Sequence, residues 1–208
     1  MIRSTIHKNI LKNLGKKTFL TEFNDITLLK LSAFFHDVGK IKGIKKHELI
    51  GADIFEKSIS KELSLGSRAT KFVSRLIKHH LDVVKLYFLR EENKDISEEI
   101  NFFWYENRDI AGHIFVLTLA DIYGTSEDDQ FLDKIRLFII YLQEYYFDFY
   151  TKNIIEKPLL SGKEIMEILN LPQSPLIGRI KQQLLKKQIK GEIKTKDQAV
   201  SFIRSLKL

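Results

Sequence analysis

Apolar residues recur every three to four positions over several long stretches of the chain. This spacing places them on one face of a helix and predicts amphipathic helices. The stretches are Ile26–Val38, Leu49–Leu63, Ala69–His79, Ile110–Ile122 and Phe131–Tyr150. No alternating pattern of strand length accompanies them, and only three prolines interrupt the 208 residues. The chain is therefore predicted to be all-α.

Helix-start signals support this prediction. Ser126, Ser161 and Thr195 each precede an acidic residue or glutamine by three positions, which is the pattern of a capping box. Ser174 followed by Pro175 is typical of an N-cap with proline at the first helical position.

The segment Glu156-Lys157-Pro158 is the one clear candidate for a boundary, because a long helix must end there. We expect a helical bundle over residues 1–158 and a small helical appendage over residues 159–208. The first part holds 24 basic and 23 acidic residues, whereas the second holds 10 and 4. Such a local surplus favours a polyanionic partner, most simply RNA, for the appendage alone.

The chain contains no cysteine, so any metal site must use histidine, aspartate or glutamate. This composition fits a cytoplasmic protein. No apolar run approaches the roughly 18 residues that a membrane-spanning helix needs. We therefore expect no membrane association.

Two pairs of polar residues interrupt apolar helices: His36-Asp37 and His79-His80. Asp121 likewise sits inside the apolar run "IFVLTLADIYG", where a carboxylate is costly unless it is paired or bound to a cation. A single histidine on an apolar face is usually a hydrogen-bonded core residue, but the pattern as a whole favours a metal site. Imidazole and carboxylate together suit Mn, Fe, Ni or Zn, and carboxylates alone suit Mg.

The motif "HDVGK" with a later isolated aspartate resembles the HD phosphohydrolase superfamily. That resemblance implies an HD-domain helical bundle that holds one or two divalent metal ions. It also implies that Asp37 bridges two ions and that Lys40 faces the phosphate of the substrate. The implied ligands are His7, His36, Asp37, His47, His79, His80 and Asp121. His113 has no place in the pattern and is interpreted as structural.

The segments "KKHELIGADIFEKSI", "SRLIKHHL" and "PLLSGKEIMEILNLPQSPLIGRIKQQLLKKQIKGEIKTKDQAVSFI" resemble the C-terminal half of bacterial CCA-adding tRNA nucleotidyltransferases and poly(A) polymerases. The resemblance implies that the basic tail contacts tRNA, through Arg179, Lys181, Lys186, Lys187 and Lys190. The nucleotidyltransferase domain of that family carries a Gly-Ser turn and an Asp-x-Asp metal pair on a strand. Here Gly66-Ser67 and Asp128-Asp129 lie at predicted helix starts, so neither motif has a counterpart. We therefore expect that this polypeptide does not add CCA by itself.

The function implied is metal-dependent hydrolysis of a phosphomonoester or phosphodiester, in a nucleotide or at an RNA end, by a water that two metals activate. The alternative is a module without catalysis. It would bind tRNA or RNA, or would be the partner of a separate nucleotidyltransferase chain.

Overall fold

The computed structural model describes residues 23–92, 94–126 and 128–206. Within these ranges the secondary structure is helical without a strand, which confirms the all-α prediction. The chain divides into two compact units. The described residues of Met1–Glu92 and Arg108–Ile140 form the first, and those of Asn93–Asn107 and Tyr141–Leu208 form the second.

The described part of the first unit starts with a capped helix and a tight turn. The side chain of Asn24 accepts a hydrogen bond of 2.8 Å from the backbone of Thr27 and starts α1. Further helices follow along the chain. Their bounds are α1 Asp25–Phe35, a 3₁₀ turn Val38–Lys42, α2 His47–Ile54, α3 Ser67–His79, α4 Asp82–Glu91, α6 Ala111–Thr125 and the first part of α7 Asp129–Tyr145. A π-helical turn, Phe55–Ile59, extends α2 as far as Glu62.

The core of the first unit lies where α1, α2, α3 and α6 pack together. Leu28, Phe55, Leu76 and Ile114 are completely buried there. Each predicted apolar stretch falls on one of the observed helices. The sequence pattern did not predict α4 or, in the second unit, α5.

A close backbone approach joins the 3₁₀ turn to α2. A Cβ atom on Gly39 would lie 2.0 Å from the carbonyl oxygen of His47 and 2.6 Å from the backbone nitrogen of Gly51. No side chain fits in that space, so only glycine lets the turn pack directly on the helix.

The second unit contains α5 Ser97–Asn107, the end of α7 with its π-helical turn Tyr146–Tyr150, and three short helices. These are α8 Gly162–Leu169, α9 Pro175–Ile189 and α10 Lys196–Ser205. The three have a core of their own, which includes Leu160, Ile165, Leu184 and Ile203.

Gln188 connects the segment before α8 to α9. Its Nε2 donates to the carbonyls of Ile155 and Lys157, and its Oε1 accepts from the backbone of Leu159. The side chain is buried, and all three bonds are 2.9–3.0 Å long. The second unit thus takes in chain from before residue 158, while the division at that residue stays a prediction.

The capping signals are confirmed at two of three positions. Ser161 and Thr195 form complete capping boxes. The box predicted at Ser126 is wrong, because Asp128 accepts from the backbone of Gln130 and Phe131 and thus caps α7 itself. Ser174 and Pro175 do begin α9, although the Ser174 side chain makes no capping bond. None of the described helices is long and apolar enough to cross a membrane.

Replacing Gly39 with alanine should destabilise the protein, because its methyl group would force the turn away from α2. Overpacking of this kind costs about 1–3 kcal/mol. Gly124→Ala is the matched control, since a Cβ there meets nothing within 4 Å and alanine favours the helix. Chemical denaturation should show a loss of stability for Gly39→Ala and none for Gly124→Ala. Equal midpoints for the two variants would contradict the steric argument.

Candidate metal centre

Four elements of the first unit bring histidines and carboxylates together. His36 and Asp37 follow the end of α1, His47 begins α2, His80 ends α3, and Asp121 lies on α6. The ring centroids of His36 and His47 lie 5.1 Å and 5.3 Å from that of His80. The hydroxyl of Thr118, one turn before Asp121, donates to the carbonyl of His80 over 3.2 Å and ties α6 to the end of α3.

The three histidines share one local arrangement. In each ring Nδ1 lies 2.7–2.8 Å from the backbone carbonyl three residues earlier: Ala33 for His36, Ile44 for His47 and Ile77 for His80. A carbonyl can only accept, so Nδ1 must carry the proton. In a neutral ring the lone pair therefore lies on Nε2. Nε2 of all three is buried and makes no hydrogen bond with the part of the chain that the structure describes.

The carboxylates of Asp37 and Asp121 lie next to these nitrogens. His36 Nε2 is 3.3 Å from Oδ2 of Asp37 and 3.3 Å from Oδ1 of Asp121, but neither approach has hydrogen-bond geometry. The other oxygen of Asp37, Oδ1, lies 3.1 Å from His47 Nε2 and 4.0 Å from His80 Nε2. When the rings are neutral, their Nε2 lone pairs face these carboxylate oxygens, and such an arrangement fits a bound cation.

Ligand atoms of His36, Asp37 and His80 all lie within 4.8 Å of one another. This donor set of imidazole nitrogen and carboxylate oxygen suits a first-row divalent metal. These three side chains are therefore of the types that bind such an ion.

Electrostatics differ among the histidines. The Asp121 carboxylate beside it raises the pKa of His36, although burial opposes the shift, and His36 in turn lowers the pKa of Asp121. Burial lowers the pKa of His80, whose ring is therefore neutral at physiological pH. A neutral imidazole is the form that binds a metal.

Lys40 lies at the edge of the cluster. Its Nζ is 2.5 Å from Oδ2 of Asp37, and the side chain is about half exposed. An ammonium in this position neutralises the outer carboxylate oxygen and faces solvent at the same time.

Not every predicted ligand joins the cluster. Nδ1 of His79 lies 2.7 Å from a carboxylate oxygen of Asp82, the first residue of α4. His7 lies outside the described residues. His113 is buried with its Nε2 3.2 Å from Asp25, and burial lowers its pKa. The assignments of His7 and His79 as ligands stay predictions.

The sequence analysis missed Glu48 and Lys85. Glu48 is buried next to His47, and Lys85 of α4 donates to it over 2.6 Å. Burial acts to raise the pKa of Glu48, but the hydrogen bond from Lys85, a backbone hydrogen bond and the nearby charges of Lys85 and His47 together lower it. The only available signal was an acidic residue directly after His47, and α4 itself was not predicted.

In the basic tail, two of the predicted RNA-binding lysines have carboxylate partners. Lys187 pairs with Glu192 and Lys190 with Glu98, at 2.5 Å in each case. Arg179, Lys181 and Lys186 are exposed along α9.

The family model of the HD domain matches residues 5–124 of the chain. The chain belongs to the HD domain family. HD domains bind divalent metals and form a superfamily of metal-dependent phosphohydrolases.

Curated relatives extend the similarity beyond the HD domain. The chain is 26% identical to a CC-adding tRNA nucleotidyltransferase of Thermus thermophilus over 84% of its length. It is 24% identical to a CC-adding enzyme of Synechocystis over 88%, and 24% identical to an A-adding tRNA nucleotidyltransferase of Deinococcus radiodurans over 85%. The aligned part spans 39–41% of these relatives.

Adding Mn²⁺, Ni²⁺ or Zn²⁺ to chelator-treated protein should raise its melting temperature. A ligand that binds only the folded state at 100 times its dissociation constant contributes about 2.7 kcal/mol. His47→Gln should reduce this increment, because it removes one of the inward-facing nitrogens. His113→Gln serves as control: it should lower the starting stability but keep the increment. An equal increment in the His47 variant would count against the cluster as the binding site.

Proposed function

We propose that this protein is a metal-dependent phosphohydrolase that acts on a nucleotide or on a phosphate at an RNA end. The observation that carries the proposal is the set of three buried Nε2 atoms, without hydrogen bonds among the described residues, around two carboxylates. A purely structural histidine cluster would satisfy these atoms internally, because a buried polar atom without a partner is unfavourable.

The residues that would hold the metal are His36, His47, His80, Asp37 and Asp121. Asp37 is suited to bridge two ions, since Oδ2 faces His36 while Oδ1 faces His47 and His80. When bound, divalent cations supply charge stabilisation to a phosphate and activate a water molecule. Which of Mn, Ni, Fe, Mg or Zn is used follows from availability as well as from the ligands.

Lys40 has a separate role in this proposal. Its ammonium pairs with Asp37 at 2.5 Å. Because the side chain is flexible and half exposed, it can turn towards a phosphate oxygen of the substrate and offset the charge that develops there.

Asp37→Ala should abolish phosphate release from nucleotides, because it removes the bridging carboxylate and leaves the histidines without their common partner. A loss of several kcal/mol of transition-state stabilisation corresponds to roughly a thousandfold or more in rate. With Mn²⁺, Ni²⁺ or Mg²⁺ present, release of inorganic phosphate should be measured for 2′-, 3′- and 5′-monophosphates. For 2′,3′-cyclic phosphates the product to be measured is the 2′- or 3′-monophosphate that ring opening leaves. Asp53→Ala, the same change at an exposed carboxylate of α2, should leave the rate unchanged. Wild-type turnover in Asp37→Ala would refute the mechanism.

A second activity, RNA binding by the tail, is favoured by the charge surplus of residues 159–208 and by the exposed cations of α9. The relatives are named as tRNA nucleotidyltransferases, which makes tRNA the natural polyanion to test. On the alternative view, the chain binds tRNA without hydrolysis or assists a separate nucleotidyltransferase chain. Such a chain would show tRNA binding that is independent of Asp37 and no hydrolysis of either the monophosphates or the cyclic phosphates.

Replacing Arg179, Lys181 and Lys186 with glutamine should weaken tRNA binding and make it less dependent on salt. Each lost contact to a double-stranded region lowers the slope of log K against log salt by about 0.9. The control variant carries glutamine at Lys187, Lys190 and Lys196, which have the same total charge but are each paired with a glutamate. This variant should bind more tightly than the first. Equal affinity of the first variant and the parent at low salt would remove the tail from the function.

A further inference from the structure

The loop from Lys40 to Lys46 connects two predicted metal-ligand positions, Asp37 and His47, and is exposed along its whole length. It contains four lysines and no acidic residue. Two isoleucines, Ile41 and Ile44, alternate with the lysines and are 71% and 79% exposed. The metal centre uses only Lys40 of this set, so the rest of the loop has no role in the function proposed above.

The other three lysines of the loop have no carboxylate partner among the described residues. Lys42, Lys45 and Lys46 form no ion pair with any carboxylate in the described part of the chain, whereas Lys57 and Lys85 each pair with a neighbour within 2.7 Å. Unpaired cations close together repel one another slightly, so their grouping brings no benefit to the fold. Their charge is available to a ligand.

The loop is built from tight turns that fix its position. Gly43 donates to the carbonyl of Lys40 over 3.0 Å, and His47 donates to that of Ile44 over 3.3 Å. Gly43 has a φ of 122° and Lys46 a φ of 60°, two backbone conformations with positive φ that the turns require. At its first end, Gly39 packs against α2. Lys45 and Lys46 therefore lie within two residues of the predicted ligand His47, which is at most about 7 Å along the backbone, and Lys42 lies five residues from both Asp37 and His47.

The spacing of the charges indicates the chemistry of the ligand. A single phosphate in the metal centre would already have the metal ions and Lys40 as its partners. A compact polyphosphate is typically bound by converging backbone N–H groups at a helix N-terminus or nest. Here the lysine side chains are spread along an exposed loop, and the isoleucines between them offer apolar contacts for sugars and bases. This combination suits an extended strand of single-stranded nucleic acid.

We propose that the loop 40–46 binds the phosphate backbone of a single-stranded RNA end while its terminal phosphate lies in the metal centre. This inference rests on the phosphohydrolase function proposed above and narrows its substrate from nucleotides in general to oligonucleotide ends. Lys42, Lys45 and Lys46 contact the phosphates behind the terminal one, and Ile41 and Ile44 contact the sugars or bases beside them.

The test compares uridine oligomers of one to six nucleotides that carry the same 3′-terminal phosphate or 2′,3′-cyclic phosphate. For the parent protein, kcat/KM should rise about tenfold from one to six nucleotides, as expected for a few exposed ion pairs. In the variant Lys42→Gln, Lys45→Gln, Lys46→Asn, the rise with length should disappear, while hydrolysis of the mononucleotide should be unchanged. Asparagine is used at position 46 because it tolerates the left-handed backbone. The control replaces three exposed lysines of the same unit, Lys61, Lys71 and Lys134, with glutamine and should retain the length dependence.

Binding of the same oligomers, labelled and measured as a function of salt, separates the two proposals. The loop variant should lower the slope of log K against log salt by about 2, since single-stranded contacts contribute about 0.7 each. If the variant keeps the length and salt dependence of the parent, the loop proposal is overturned while the phosphohydrolase stands. If the parent hydrolyses nothing but binds oligomers in a way that only the loop variant loses, the proposed hydrolysis fails and strand binding by the loop is supported. Absence of both hydrolysis and binding in the parent overturns both.

Discussion

The metal centre depends on one backbone contact, that of Gly39 against His47 and Gly51. Asp37 precedes this contact by two residues, and His47 is part of it, so the packing of two main chains fixes the distance between a carboxylate and an imidazole. Side chains can change rotamer, but a backbone in van der Waals contact on both sides has little freedom to move. The distance between Asp37 and His47 is therefore determined by backbone packing more than by side-chain rotamers.

The three histidines select the same tautomer by the same local means. Each uses a carbonyl of its own preceding turn, so no distant residue is needed to select the tautomer. Hydrogen bonds to the non-coordinating nitrogen are the usual way in which proteins orient metal-binding imidazoles. Leaving three buried nitrogens without hydrogen bonds among the described residues is unfavourable, and the burial of apolar side chains in the same unit, such as Leu76 and Ile77, offsets this.

Helical periodicity was sufficient to predict the helices of the first unit except α4, whose sequence "DVVKLYFLRE" carries apolar residues on more than one face and no cap. The resemblance of "HDVGK" to HD proteins drew attention to His36, Asp37, His47, His80 and Asp121, which the structure brings together. Sequence could not tell which partners His79 and His80 have, because neighbours on a helix point about 100° apart: His79 lies against Asp82, and His80 lies beside His36 and His47. Nor could it reveal that Lys190 pairs with Glu98, a residue 92 positions away.

Gln188 has a consequence for anyone who wishes to transplant the C-terminal helices into another protein. Its amide saturates three backbone groups between Ile155 and Leu159, so this extended segment is part of the folded unit rather than a tether leading to it. A graft that starts at Pro158 would leave two hydrogen bonds of a buried amide unmade. A graft that starts before Ile155 would keep all three hydrogen bonds of Gln188. Its junction with the host protein would then lie outside the segment that Gln188 contacts.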